Sequence, residues 1–436
     1  MPGILEMRFV NMGQGDFCMI KCPDDKVVVV DCGSTAHFNP KIFESAREVL
    51  RLWLKGKPIH ALILTHPDQD HYNKVIRLLF EPIGNKLKPE LKIDTIFFSK
   101  KYADDAPLGC YYMGGFSYLV GEMAFGTPVL REVTINKNIK KCRNWRYKKE
   151  NNGYRHPPEE EIINGNCLVV AKGKTEHNTK WCIKIIAGNV ESTDMDDGRA
   201  LDPNASSLVT FIQLGNDRAL LTGDATPEVQ EYLIWVCKGD KTCKGDKTLN
   251  DMLSKLGTLQ IPHHGSELCA PTEDFLELLS PKSLVVSVDL QNDGYHLPRF
   301  SVLEKWIEKT GVTEKNTYID YWKDHPDDAE LPERIKSIND FVNDKWIKPG
   351  YKVDFNTSLT SFWLKHPEDA GPDRSNTGFY GITSSSFFLY RLETNRDIEE
   401  TGMQEIDKEF VGVIVVTFIE DLPGINSGGL KWISEG

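Results

Sequence analysis

At several points this chain runs through a short apolar stretch and stops on acidic or histidine side chains. VVVVDCG stops at Asp31, ALILTHPDQDH at His66 to His71, RALLTGD at Asp224, and TLQIPHHGS at His263 and His264. Short apolar runs rich in β-branched residues and bounded by turn signals read as buried strands. The pattern therefore places carboxylates and imidazoles in loops at successive strand ends, where function concentrates. The densest of these loops is LILTHPDQDHYNKV, Leu62–Val75, with His66, Asp68, Asp70 and His71 between a strand and a short helix. Four such side chains crowded together are costly unless something neutralises and orients them, and a bound cation does both.

Composition sets the outer limits. With 436 residues, 40% of them apolar and 27% charged, the chain is expected to be a soluble globular protein with a large core and more than one structural unit. No apolar run is long enough for a membrane span. MPGILEMRFV lacks the apolar core of a signal peptide, so a cytoplasmic location is expected. The ten cysteines form no CxxC pair, which fits reduced, structural thiols. A net charge of −12 argues against non-specific nucleic-acid binding by the whole surface, but not against a local basic groove.

Along the chain, RFVNMGQGDFCMIKC and KVVVVDCG read as an opening hairpin and strand. Phe43, Ala46, Leu50 and Trp53 mark a helix closed by Gly56. IDTIFFS is a strand. Residues at about 100–180 are rich in Gly, Tyr, Asn and Lys with weak periodicity and read as an insertion. Strand patterns return at WCIKIIA, SLVTFIQL, RALLTGD, TLQIPHHG and SLVVSVD, and a helix follows at FSVLEKWIEKTG. The expected fold is α/β (α+β): two sheets face to face with helices outside. The division expected is a main unit over 1–322, carrying the insertion, and a C-terminal accessory extension over 323–436. The extension holds a helix (ERIKSINDFVNDKW) and strands (TSFWLKH, SFFLYRL, GVIVVTF), and could offer a surface to a protein partner.

Residues at strand ends can converge on one rim of such a sandwich and hold two divalent ions. His66 and Asp68 can reach a first ion, and Asp70 and His71 a second. Asp224 could bridge them, and either His263 or His264 would complete a shell. Ions held roughly 3.5–4 Å apart activate water and stabilise the attacking and leaving oxygens of a displacement. Asp16 and Asp31 would orient ligands from behind. His296 is the candidate general acid or oxyanion-binding group, and the amides of Gly265 and Ser266 could also bind an oxyanion. An oxygen-rich set of this kind suits manganese as well as zinc.

GQGD (Gly13–Asp16), VVDCG (Val29–Gly33), THPDQDH (Thr65–His71), NASSLV (Asn204–Val209), LLTGD (Leu220–Asp224), PHHGS (Pro262–Ser266) and NDGYHLP (Asn292–Pro298) occur in that order. Together they resemble the metallo-β-lactamase superfamily, and more narrowly the hydrolase domain of bacterial competence DNA-uptake channel proteins and their free-standing relatives. The resemblance implies an αββα sandwich of two mixed sheets with outer helices, a dinuclear metal site and hydrolysis. It covers roughly residues 1–322 once the insertion is allowed for. Asp68 stands where the superfamily often has His and the competence-type subgroup frequently has Asp. A further superfamily histidine is missing. Asn204 stands near its place as a candidate substrate contact, beside His264, Gly265 and Ser266, and the first ion is left one ligand short. HYNKV replaces the usual glycines after the motif.

The leading expectation is a metal-dependent phosphodiesterase or nuclease, with nucleic acid or a nucleotide as substrate and Asp70, Asp224 and His296 at the chemistry. Lys137–Lys149, KNIKKCRNWRYKK, adds basic residues interleaved with Trp145 and Tyr147, a combination suited to single-stranded nucleic acid. Two alternatives stand beside it. One is hydrolysis of a non-phosphate ester, thioester or amide. The other is a catalytically degenerate interaction or regulatory module.

Overall fold

The computed structural model describes residues 2–10, 12–35, 40–83, 86–99, 128–145, 147–148, 153–154, 159–190, 203–239, 244–279, 281, 283–289, 297, 302, 305–306, 377–383, 387–388 and 413–420. The strands are β1 (Ile4–Val10), β2 (Cys18–Lys21), β3 (Val27–Val30), β4 (Ile59–Leu64), β5 (Phe80–Ile83), β6 (Lys86–Pro89), β7 (Ile93–Ser99), β8 (Val129–Ile135), β9 (Lys140–Trp145), β10 (Tyr147–Lys148), β11 (Gly153–Tyr154), β12 (Glu159–Ile162), β13 (Leu168–Lys174), β14 (Lys180–Ala187), β15 (Val209–Leu214), β16 (Asp217–Leu221), β17 (Thr258–Gln260), β18 (Ser283–Asp289), β19 (Thr377–Thr383), β20 (Phe387–Phe388) and β21 (Val413–Ile419). Nine form one mixed sheet in the order β12-β9-β8-β7-β4-β3-β2-β1-β21, and eight form a second, β13 through β20 in sequence. β5–β6 and β10–β11 are separate hairpins. The helices are α1 (Pro40–Leu54), α2 (Gln69–Tyr72), α3 (Val75–Leu79), α4 (Pro227–Lys238), α5 (Lys247–Leu253) and α6 (Glu273–Leu278).

The two-residue period of the strands sorts their side chains between two layers. In β3 and β4, Val28, Val30, Ala61 and Ile63 enter the core shared with the second sheet, beside Ile183, Phe211 and Leu220. Their neighbours Val27, Val29, Leu62 and Leu64 face the other way, onto Phe43, Ala46, Leu50 and Trp53 of α1. A strand buried on both faces has no polar face to show. This explains the unbroken VVVV and ALIL runs. The result is an αββα sandwich of two mixed sheets.

Strand direction decides where the functional loops lie. β3, β4 and β7 are parallel neighbours, and so are β16, β17 and β18. Loops leaving the carboxyl ends of parallel strands emerge on one edge, the usual place for a site in an α/β sheet. The β1–β2 turn, with Asp16, joins the same edge because β2 runs antiparallel to β3 and pairs Cys18 with Val30.

Within the stretch at about 100–180, read as an insertion of weak periodicity, the structure has strands of both sheets. β8, β9 and β12 belong to the first sheet and β13 to the second, while residues 101–127 lie outside the described residues. Polar side chains on exposed strand faces hid the pattern. Trp145 is buried, and its Nε1 donates to Glu132 at 3.0 Å. Lys141 and Arg143 pair with Glu160 of the neighbouring β12. The Lys137 ammonium lies over the Trp235 ring. These groups are engaged within the fold.

The C-terminal third contributes to both sheets. β19 pairs along β18, and β21 pairs along all of β1. Glu420, just past β21, accepts from the amide of Gly3 and the hydroxyl of Thr175. The helix and the TSFWLKH strand expected between residues 323 and 376 lie outside the described residues. Among the described residues, no helix is long and apolar enough to cross a membrane. The eight described cysteines are all free thiols, six of them buried.

Candidate metal centre

The loop after β4 is shaped by its neighbours' lack of side chains. A Cβ on Gly33 would lie 2.2 Å from the carbonyl carbon of Asp70 and 2.3 Å from the amide nitrogen of His71. Gly15 is equally close to the Gly33 carbonyl, and its φ of +156° suits glycine. The loops therefore press backbone to backbone. Asp16 N donates to Asp70 O, Cys32 N to His71 O, and Gly33 N to Asp16 O. Asn73 clamps the same seam: its Oδ1 accepts from Ser34 N at 2.9 Å and its Nδ2 donates to Ser34 O at 2.8 Å. HYNKV thus replaces glycines with a side-chain clasp.

Asp68 occupies the N-cap position of α2, but its side chain makes no capping hydrogen bond. A plain helix-capping loop would use that oxygen. Here the carboxylate turns instead toward His66, with Oδ2 3.7 Å from Nε2.

Asp224 stands at the centre. Its Oδ2 lies 3.5 Å from His66 Nε2 and 3.6 Å from His263 Nε2. Its Oδ1 lies 3.2 Å from His71 Nε2 and 3.8 Å from His264 Nε2. Asp70 Oδ2 is 3.4 Å from His264 Nε2. Two sets of groups share one carboxylate. The outer set is His66, Asp68 and His263; the inner set is Asp70, His71 and His264. His263 and His264 both face Asp224, one on each oxygen. Asp68 is 39% exposed at the side chain, against 18% for His263, 17% for Asp70 and none for His66 and His71, so the cluster is most open to solvent at Asp68, in the outer set.

Each imidazole is held from behind by its Nδ1. His71 donates to Asp31 Oδ2 at 2.8 Å and His264 to the Ser287 carbonyl at 2.6 Å, both of which can only accept. Thr65 Oγ1 donates to Asp31 Oδ2 at 2.7 Å and so presents a lone pair to His66 Nδ1 at 3.1 Å. His263 Nδ1 meets the thiol of Cys269 at 3.0 Å. All four Nε2 atoms face Asp224. Those of His66, His71 and His264, with Oδ1 of Asp224, are buried and make no hydrogen bond. Buried polar atoms are rarely left so without a reason. A shared ligand would account for them, and the donor set of imidazole nitrogens and carboxylate oxygens fits a divalent cation. One ligand atom from each of Asp16, His71, Asp224 and His264 lies within 4.8 Å of the others.

Asp31 is a hub, accepting from the amide and hydroxyl of Thr65 as well as from His71. Asp16 accepts from Gln260 Nε2 at 2.9 Å, and burial pushes its carboxyl up to about 6 against the pull of His264 and His71. Burial would also raise Asp224, but His71 and the other three imidazoles hold it well below the carboxylate range. Burial opposes charge on His264, yet Asp224 and Asp70 lift it to about 9. The same contest, won by Asp224 and Asp31, raises His71 well above its ordinary value. Asp70 is brought down to about 2, burial notwithstanding, by the His264 imidazole 3.4 Å away. Burial lowers His263. Without a cation, protons on His71 and His264 neutralise the carboxylates, and a metal would displace them.

Backbone strain collects at the same place. Asp31, His263 and His264 all have left-handed φ, at 55°, 50° and 54°. Non-glycine residues in that region each cost about 1 kcal/mol or more and persist only where surrounding structure enforces them, typically at functional sites.

Several expected residues fall elsewhere. The Ser266 amide donates to the His263 carbonyl at 2.8 Å and its Oγ accepts from Leu268 N. Ser266 therefore shapes the turn, and its amide is not available to an oxyanion. Gly265 is buried beside it with a φ of +77°. Asn204 sits in a buried turn whose neighbour, Ser207, accepts from the Asp224 amide. His296 and Asn292 lie outside the described residues. Sequence reasoning missed Thr65, Ser207, Cys269 and Ser287. Thr65 and Ser207 lie inside quoted motifs and Cys269 and Ser287 a few residues from one, but a lone Ser, Thr or Cys carries no spacing signal of its own.

Residues 12–89 match the model of the metallo-beta-lactamase superfamily. ComE operon protein 3 of Bacillus subtilis (strain 168) is 24% identical over 310 residues, which is 69% of this chain. The chain spans about 30% of that relative's length. Among solved structures, a mutant of CmlA beta-hydroxylase aligns with a TM-score of 0.30 and 11% identity, over 71% of this chain and 44% of that one.

Proposed function

We propose, from the premise that residues 12–89 are a metallo-β-lactamase superfamily segment set in the matching sandwich, that this metal-dependent hydrolase cleaves phosphodiester bonds in nucleic acid or a nucleotide. The observation that carries the reading is the inward convergence of four imidazole Nε2 atoms on the two oxygens of Asp224. Two divalent ions, zinc or manganese, would be held by His66, Asp68, His263 and Asp224 on one side and by Asp70, His71, His264 and Asp224 on the other. When bound they would supply an activated water and charge stabilisation for both oxygens of a displacement.

The chain's own residues set the geometry for that chemistry. Asp31, Thr65, Ser287 and Cys269 fix the imidazoles so that little reorganisation remains when charge develops. Asp224 shares its oxygens, which favours a reaction needing charge stabilised at two atoms at once, as displacement at phosphorus does. Asp68 leaves the outer side open to a bulky substrate. The order of motifs shared with the competence-type subgroup supports the same substrate class. A cytoplasmic setting, and a protein partner received by the C-terminal region, remain part of this proposal.

The test is a substrate panel. Purified full-length protein is assayed with manganese and then zinc on a chromogenic phosphodiester, a thioester and a lactam, beside Asp70→Ala. The expected result is phosphodiester turnover that the substitution abolishes. Turnover of the thioester or lactam alone would overturn the substrate class, and no turnover of any would favour a degenerate scaffold.

A further inference from the structure

His263 differs from the other three imidazoles in what holds its far nitrogen. His66, His71 and His264 lean on oxygen: the Thr65 hydroxyl, the Asp31 carboxylate and the Ser287 carbonyl. His263 leans on sulfur, with Nδ1 3.0 Å from Sγ of Cys269. The thiol donates in turn to the main-chain carbonyl of Asp224 at 3.7 Å. Cys269 is 2% exposed, and its own carbonyl is fixed by Gln230 Nε2 at 3.1 Å. When the thiol donates to Asp224, the sulfur offers His263 only lone pairs; His263 then donates from Nδ1 and carries its free pair on Nε2, which faces Asp224 Oδ2.

We propose that Cys269 is a positioning residue whose thiol sets the tautomer and ring orientation of His263 and so completes the outer half of the ion pocket. This rests on the reading of His263 as an outer ligand. The thiol also ties the ring to the backbone of the bridging Asp224, so ligand and bridge are held as one piece. Sulfur is a weaker acceptor than the oxygens behind the other imidazoles. The outer half is therefore the half whose alignment is most easily lost.

Two readouts on full-length protein separate positioning from mere packing. The first is the tautomer of His263 in metal-free protein, read from long-range proton–nitrogen couplings of labelled histidine. The second is calorimetric titration with manganese or zinc alone. Wild type should show His263 with its proton on Nδ1. Cys269→Ala should mix the tautomers and weaken the outer ion by about 10–100-fold while sparing the inner one. Cys269→Ser should restore the wild-type tautomer and recover outer-ion affinity. If Cys269→Ala fails to fold, Cys269→Val, which fills the volume without offering an acceptor, is read in its place.

An unchanged tautomer and unchanged affinities in the acceptor-free variant would overturn the proposal. His263→Ala decides what then remains. Loss of the outer ion in that variant leaves the ligand reading standing and the Cys269 role refuted. Retention of both ions refutes the ligand reading, and the proposal with it.

Discussion

Asp31 is 1% exposed, holds a left-handed backbone and accepts three hydrogen bonds, one of them from His71. Asp31→Asn keeps the shape, and Asn tolerates that backbone. It replaces one acceptor with an amide donor, which turns the His71 proton toward Asp224. Metal affinity measured by calorimetry should fall by about 10–100-fold with the fold intact. The protons of the cluster give a second prediction. His264 is raised to about 9, so in metal-free protein it binds a proton that the unfolded chain releases near 6.5. Its contribution to stability is complete below 6.5 and is lost as pH rises through about 9. Metal must displace the same proton, so affinity should climb across that window. Denaturant midpoints and metal titrations between pH 6 and 9.5 check both trends, which run in opposite directions. At this scale the residues of the cluster were legible because carboxylates and imidazoles at strand ends are chemically conspicuous. A bridging place for Asp224 was legible too, but not that both His263 and His264 face it on opposite oxygens, because that depends on two adjacent left-handed residues that no local pattern announces.

Among the elements, the strand-end loops matter more than the strands they leave. Gly33→Ala would drive a Cβ into the backbone of Asp70 and His71, atoms that cannot step aside as a flexible side chain could. A loss of about 1–3 kcal/mol is expected, together with weakened metal binding, since the displaced backbone is the loop carrying the ligands. Thermal melts with and without metal measure it. β3, β4, α1, β7 and β14 to β18 were readable because two-sided burial leaves plain apolar runs and one-sided burial leaves a helical stripe. β8, β9, β12 and β13 were not. Their outward faces carry Lys, Arg and Glu that pair across strands, as Arg131 does with Glu161, and this broke the apolar signal into apparent loop.

For the whole molecule, the last described strand closes the first sheet. β21 covers β1 over its full length, and Val416 and Phe418 join the core between the sheets. A chain ending at residue 411 would leave β1 an open edge beside uncovered Leu5 and Met7. It should associate or aggregate by light scattering; a monomer with an unchanged melting point would contradict that role. Pairing between positions about four hundred residues apart could not be read from a single sequence, because a strand's partner depends on topology rather than on its own pattern. On the proposed function, the pocket shared by the two sets of groups binds two ions through Asp224 and hydrolyses its substrate there. The phosphodiester hydrolysis rate of metal-free protein is measured against added manganese, for wild type and Asp224→Asn. The rate should climb to a plateau at two ions per chain in wild type and should not rise in the variant. Equal plateaus, or full turnover in the presence of a chelator, would contradict it.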